Sequence, residues 1–138
     1  MIFVLRLVDY IARNYRGKVV EVGIGFYWDV AIALSERSFD VIATDVKDIS
    51  IGKRGIKFVV DDISNPDLEI YRGAILIYSI RPPPELFEAI KRTAISVGAD
   101  AIVKPLHNEF PDGWDLVNFN GLSFYVSKVR KGYEGHNR

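Results

Sequence analysis

The chain has 138 residues, a length that fits one domain and leaves little room for a second. Lys plus Arg number 18 and so do Asp plus Glu, so no global field draws the whole molecule to nucleic acid or anionic lipid. The absence of cysteine excludes disulfides, thiolate metal sites and cysteine nucleophiles, and His107 and His136 lack ligand spacing, so no structural metal is expected.

Phe3, Leu7, Tyr10, Ile11 and Tyr15 recur at three- and four-residue steps, which predicts an amphipathic helix over 2–15, stopped by Gly17. Arg6 and Asp9 interrupt the apolar start, and there is no signal-peptide layout or membrane-length apolar run. A cytoplasmic protein without a membrane partner is the expectation. Residues 18–22 read as a buried strand, broken by Gly23-Ile24-Gly25, with a helix over 29–37. A second strand, 41–45, ends in Asp45, and a link carrying Gly52 and Gly55 leads to a third, 56–60, that ends in Asp61-Asp62.

A fourth strand, 74–80, runs into Arg81-Pro82-Pro83-Pro84. A helix over 84–97 follows, with Leu86, Phe87, Ile90, Ala94 and Val97 on one side and Gly98 as its carboxyl cap. Residues 99–106 form a fifth strand. Strands that are nearly continuous in apolar residues and alternate with helices or short links predict a parallel sheet covered on both faces. The runs 116–119 and 122–126 flank Asn120-Gly121, the strongest local signal for a two-residue hairpin. The expected fold is therefore α/β, a Rossmann-like three-layer sandwich whose mostly parallel sheet closes with an antiparallel pair. One domain spans 1–138, with a helix over 1–16 and a basic tail over 128–138 that frays.

Gly23 and Gly25 stand between a buried strand and a helix, where glycine allows a tight turn and close ligand approach, and the helix offers unpaired N–H groups. The same residues also suit a plain strand-to-helix turn. The dinucleotide fingerprint wants a third glycine where Trp28 stands, and no phosphate-loop motif occurs, so a ligand without a pyrophosphate fits better. Asp45 lies 20 residues past Gly25, at a strand end where a carboxylate can accept both hydroxyls of a ribose. Asp48 is the second choice, and an acid opening a solvated loop is the plainer reading.

Glu21-Val22-Gly23-Ile24-Gly25 resembles the first motif of class I S-adenosylmethionine-dependent methyltransferases, although Phe26 stands where that family usually has another glycine. The likeness covers roughly residues 17–127, closing hairpin included. The chain also resembles a small archaeal family of trimmed methyltransferase-like proteins sharing the Val-Glu-Val-Gly-Ile-Gly and Arg-Pro-Pro segments. The resemblance implies S-adenosylmethionine as cofactor, with Gly23 and Gly25 beneath its methionine and ribose and Glu21 at its ammonium. It further implies Asp62 at the adenine amino group, with Asp61 second, and the backbone of Ile63 at a ring nitrogen. Asp62 and Ser64 equally suit a helix cap near Pro66. Ser79, on the fourth strand's end, joins the cofactor set.

Amine-methylating members carry Asn or Asp, then Pro-Pro and an aromatic, where this chain has Arg81-Pro82-Pro83-Pro84. Arg81 has no acceptor to orient an amine but can grip a phosphate or carboxylate, so a phosphate-bearing or other small acceptor is expected. Nucleic acid as a partner rests only on the basic tail and Arg81. His107 leaves the fifth strand at the same edge, with Glu109 as its candidate partner, and is the second catalytic candidate beside Arg81. The short connections after the second, third and fifth strands predict reduced helices there and apolar surface open to self-association. Two function classes stay open: a methyltransferase, and a non-catalytic module that binds adenosylmethionine or adenosylhomocysteine or serves as a subunit of a larger complex. An NAD-dependent oxidoreductase comes third, opposed by Trp28 and the hairpin.

Overall fold

The computed structural model describes residues 2–49, 55–107 and 109–129. Gly52, Asn108, His136 and the tail from Arg130 onward lie outside the described residues. Helix α1 (Ile2–Asn14) is followed by β1 (Lys18–Val22), α2 (Asp29–Glu36), β2 (Asp40–Asp45), β3 (Ile56–Val60), α3 (Leu68–Tyr71) and β4 (Ala74–Ile80). A 3₁₀ turn at Pro84–Leu86 leads into α4 (Phe87–Val97), and β5 (Asp100–Lys104), β6 (Asp115–Phe119) and β7 (Leu122–Ser127) complete the order. The expected 84–97 helix thus opens as a 3₁₀ turn, because Pro82, Pro83 and Pro84 supply no backbone N–H to an α-helical first turn.

All strands join one sheet in the order β3-β2-β1-β4-β5-β7-β6. Pairings β3–β2, β2–β1, β1–β4 and β4–β5 are parallel, whereas β7 pairs antiparallel with both β5 and β6. The β6–β7 turn holds Asn120 at φ 52° and Gly121 at φ 86°, the doubly left-handed geometry that makes Asn-Gly favourable there.

Side chains alternate across β1 to opposite faces, and both faces are buried. Val19 packs with Leu7 and Ile11 of α1 and Leu34 of α2. Val20 packs with Tyr71 of α3 and Ile90 of α4. The mostly parallel α/β sandwich with its antiparallel close is therefore what forms, with α1 and α2 on one face and α3 and α4 on the other. The trimming is visible too. Between β3 and β4 the helix is one turn long, and among the described residues no helix joins β2 to β3 or β5 to β6.

This topology positions the site. From β1 the chain leaves over one face through α2, and from β4 it leaves over the other through α4. Adjacent parallel strands whose connections diverge open a crevice at their carboxyl ends, the general ligand position of such sheets. Among the described residues no helix is long and apolar enough to cross a membrane.

Candidate functional site

The crevice floor starts at the turn after β1. Gly23 and Gly25 adopt φ 69° and 57°, left-handed values that suit glycine, and a Cβ added at either would meet nothing within 4 Å. The turn is pinned at both ends. Ile24 donates its N–H to Thr44 O at 3.0 Å, and Gly25 donates its N–H to Asp45 Oδ2 at 2.8 Å. Lys47 N–H reaches Asp45 Oδ1 at 3.1 Å. The two glycines and the strand-end carboxylate thus meet directly. An ionised carboxylate has about four lone-pair sites, so two N–H contacts leave Asp45 able to accept ribose hydroxyls.

The two aromatic departures in the turn have different fates. Phe26 projects outward with 85% exposure, so it does not fill the crevice. Trp28 turns inward, 5% exposed, with its ring tilted against Phe58 of β3 at 6.2 Å and Nε1–H donating to Gly25 O at 3.0 Å. The bulky residue in the third-glycine position is a core side chain that braces the turn from below.

Glu21 sits beneath this floor. It is 1% exposed, and Tyr78 of β4, its register partner, donates its hydroxyl to Oε1 at 2.8 Å. Burial pushes its carboxyl up to about 8 against the opposing pull of that hydrogen bond, so the site favours the protonated form of Glu21. Ser79 is also buried and donates Oγ–H to Val22 O at 2.8 Å, tying the β4 tip to the β1 tip.

After β3 the two acids separate by role. Asp61 has both oxygens engaged, Oδ2 by the Tyr71 hydroxyl at 2.7 Å and Oδ1 by Asp67 N–H at 3.0 Å. Asp62 is exposed, with Oδ1 accepting from Ser64 N–H at 2.9 Å, and Ile63 is buried beside Tyr71. Asp67, not Asp62 or Ser64, caps the short helix, accepting from Glu69 N–H.

At the β4 tip Arg81 holds φ 56°, left-handed for a residue bearing a Cβ. Its N–H donates to Lys104 O at 2.7 Å, and its guanidinium lies 5.0 Å over the Phe3 ring, which in turn stacks on Tyr27 at 6.0 Å. That stack joins β4 to the start of α1 and to the loop before α2. His107 is exposed beyond the β5 tip, where its N–H approaches Glu109 Oε1 at 3.4 Å. It shares a cavity of about 230 Å³ with Lys104, Glu109 and Tyr125. Strand β4 stands between β5 and β1, so His107 is set apart from the glycine turn.

Tyr78 and Lys104 are the residues that sequence reasoning passed over. Tyr78 looks like one more core aromatic until β1–β4 register sets it against Glu21, and Lys104 reads as a strand end until β5 lies beside β4. Among the described residues there is no group of three His, Asp or Glu that would hold a metal ion.

A family model described as "Uncharacterised protein family (UPF0146)" matches residues 4–129. The "UPF0146 protein" of Archaeoglobus fulgidus is 50% identical over 132 residues, covering 96% of this chain and 99% of that one. Among solved structures, an RNA methyltransferase from Salinibacter ruber in complex with S-adenosyl-L-homocysteine superposes with a TM-score of 0.64 at 13% identity, covering 94% of this chain and 91% of that one. The MycE methyltransferase of the mycinamycin pathway, in complex with Mg and SAH, gives a TM-score of 0.61 at 14% identity. It is matched over 94% of this chain, which spans only 46% of that protein. At such identities the likeness establishes the fold.

Proposed function

The chain belongs to the UPF0146 family, and from that premise and its own crevice we propose that it binds S-adenosylmethionine as a methyltransferase of a small acceptor. The observation that carries this reading is the direct bond from Gly25 N–H to the Asp45 carboxylate, beside two glycines open to approach at the sheet's switch point. Asp45 takes the ribose hydroxyls, the backbone at Gly23 and Gly25 passes under the ribose and methionine, and Asp62 with the Ile63 N–H takes the adenine. Ser79 acts indirectly, by holding the β1 and β4 tips together. Glu21 is the group for the methionine ammonium, a cation that favours its ionised form. When bound, the sulfonium supplies an already activated methyl group, so the protein has mainly to position the acceptor and exclude water. His107 is the candidate for receiving the acceptor's proton, at its imidazole.

Calorimetric titration with adenosylmethionine and NAD side by side tests the cofactor. Saturable heat with the first and none with the second is the expected result, and the reverse overturns the proposal. Asp45→Ala is expected to weaken adenosylmethionine binding by about 1.5–3 kcal/mol, the worth of charge-assisted hydrogen bonds. Unchanged affinity in a folded Asp45→Ala protein removes the ribose assignment.

The non-catalytic reading has one observation in its favour: Arg81, a residue with no acceptor, at the strand end where amine-methylating relatives in fold carry an amide or acid. Cofactor affinity without transfer of a labelled methyl to any extract of metabolites, protein or RNA selects that reading.

A further inference from the structure

We propose that the cavity beyond the β5 tip is a binding site for a neutral single-ring aromatic that carries a hydroxyl. Its floor is a bare part of the sheet. On β7, Leu122, Phe124 and Val126 pack toward α1, so Ser123 and Tyr125 lie on the opposite face. Leu116 of β6 is in register with Tyr125 and stands beside it on that face. Helix α4 packs on β4 and β5 there, and among the described residues no helix between β5 and β6 extends the cover. The loop after β5 closes over this floor instead, bringing Pro105, His107, Glu109 and Phe110 to one space of about 230 Å³.

Two observations mark this space as a ligand site. Tyr125 is 9% exposed, yet among the described residues its hydroxyl has no hydrogen-bond partner. Buried polar groups are nearly always paired. Nor is the hydroxyl sealed in the core, where the unpaired polar side-chain atom among the described residues is Trp114 Nε1. It therefore opens on the cavity that Tyr125 lines. Phe110 and Leu116 border the same cavity and are 76% and 60% exposed, so much of their apolar surface is left to water. An apolar ring placed against them takes that surface out of water.

The walls select the ligand. Drug-sized ligands occupy pockets of about 300–1,000 Å³, so this smaller space suits a single ring. Phe110 and Tyr125 offer aromatic surface to a flat molecule, with Pro105 and Leu116 apolar beside them. Charge favours no ion. Lys104 and Glu109 line the cavity with opposite signs, and the Lys104 ammonium already donates to the Pro105 carbonyl at 3.4 Å. Ser123 Oγ accepts from Asn118, and Glu109 Oε1 faces the His107 N–H. The Tyr125 hydroxyl can both donate and accept, and a ring hydroxyl matches it in either sense. Binding does not depend on the cofactor reading, because none of these residues is assigned to adenosylmethionine. Only a role for the bound ring as methyl acceptor rests on that reading.

The test is titration of phenol into the full chain labelled with ¹⁵N, with cyclohexanol, toluene and benzoate for comparison. Saturable shifts centred on the amides of Phe110, Leu116, Ser123 and Tyr125 are expected, at lower concentrations of phenol than of the other three. Tyr125→Phe should raise the half-saturating phenol concentration about three- to ten-fold, the worth of one hydrogen bond, and leave that of toluene unchanged. A loosened or misfolded cavity would weaken both, so it cannot mimic the result. Phe110→Ala and Leu116→Ala, at exposed positions, should stay folded and weaken phenol and toluene alike. Asp45→Ala should keep its phenol response even where adenosylmethionine binding is lost. No saturable shift, shifts centred on the glycine turn, equal affinity for phenol and toluene, or a Tyr125→Phe protein that keeps phenol affinity or loses both ligands equally would overturn the proposal.

Discussion

Trp28→Ala is expected to lower the free energy of unfolding by about 3–5 kcal/mol, the usual cost of truncating a buried large aromatic. The ring is buried against Phe58 on the α1–α2 face, and its N–H supports the Gly25 carbonyl. Removal therefore leaves a cavity and an unsupported turn at once. Trp28→Phe keeps most of the volume and loses only the donor, so its cost should be nearer 1 kcal/mol. Denaturant unfolding of the two variants reads both values. A loss under about 0.5 kcal/mol for the alanine variant means that the indole does not brace the turn.

The second large effect is a pH dependence. Glu21 ionises near its ordinary 4.5 in the unfolded chain but only around 8 in the folded one, where burial keeps it protonated. A carboxyl with a raised folded value contributes its full stability below pH 4.5, loses it as pH rises through the window, and has none left above about 8. Across the window the slope is on the order of 1 kcal/mol per pH unit, which sums to several kcal/mol. Glu21→Gln is neutral throughout, and its amide oxygen can still accept from the Tyr78 hydroxyl. Chemical unfolding at several pH values should show stability falling with pH in the parent protein and a flatter profile in the glutamine variant. Equal slopes would place the carboxyl's ionisation elsewhere.

Much of the fold was legible because its signals are local. Apolar continuity marks β1, β2, β4 and β5, and Asn120-Gly121 marks the hairpin without knowledge of the rest of the chain. The glycine turn and Asp45 were legible as candidates for the same reason. Their mutual hydrogen bond was not, since nothing in the spacing says that the carboxylate turns back onto the Gly25 N–H. Trp28 reads as a misfit in a ligand motif, and only tertiary packing shows that the indole faces the core. The Glu21–Tyr78 and Arg81–Lys104 neighbourhoods depend on strand order, and a strand's sequence states that it pairs more clearly than it states with whom.

The strand order also bears on how the molecule assembles in time. The Asn120-Gly121 hairpin links near neighbours and can close in about 1–10 μs, whereas the Tyr78–Glu21 bond spans 57 residues. Parallel contacts of such separation reward the chain only after a long loop has closed. The crevice between β1 and β4 is therefore expected to be among the late parts to acquire protection in pulse-labelled amide exchange, after the hairpin. Its earlier protection would reverse that order.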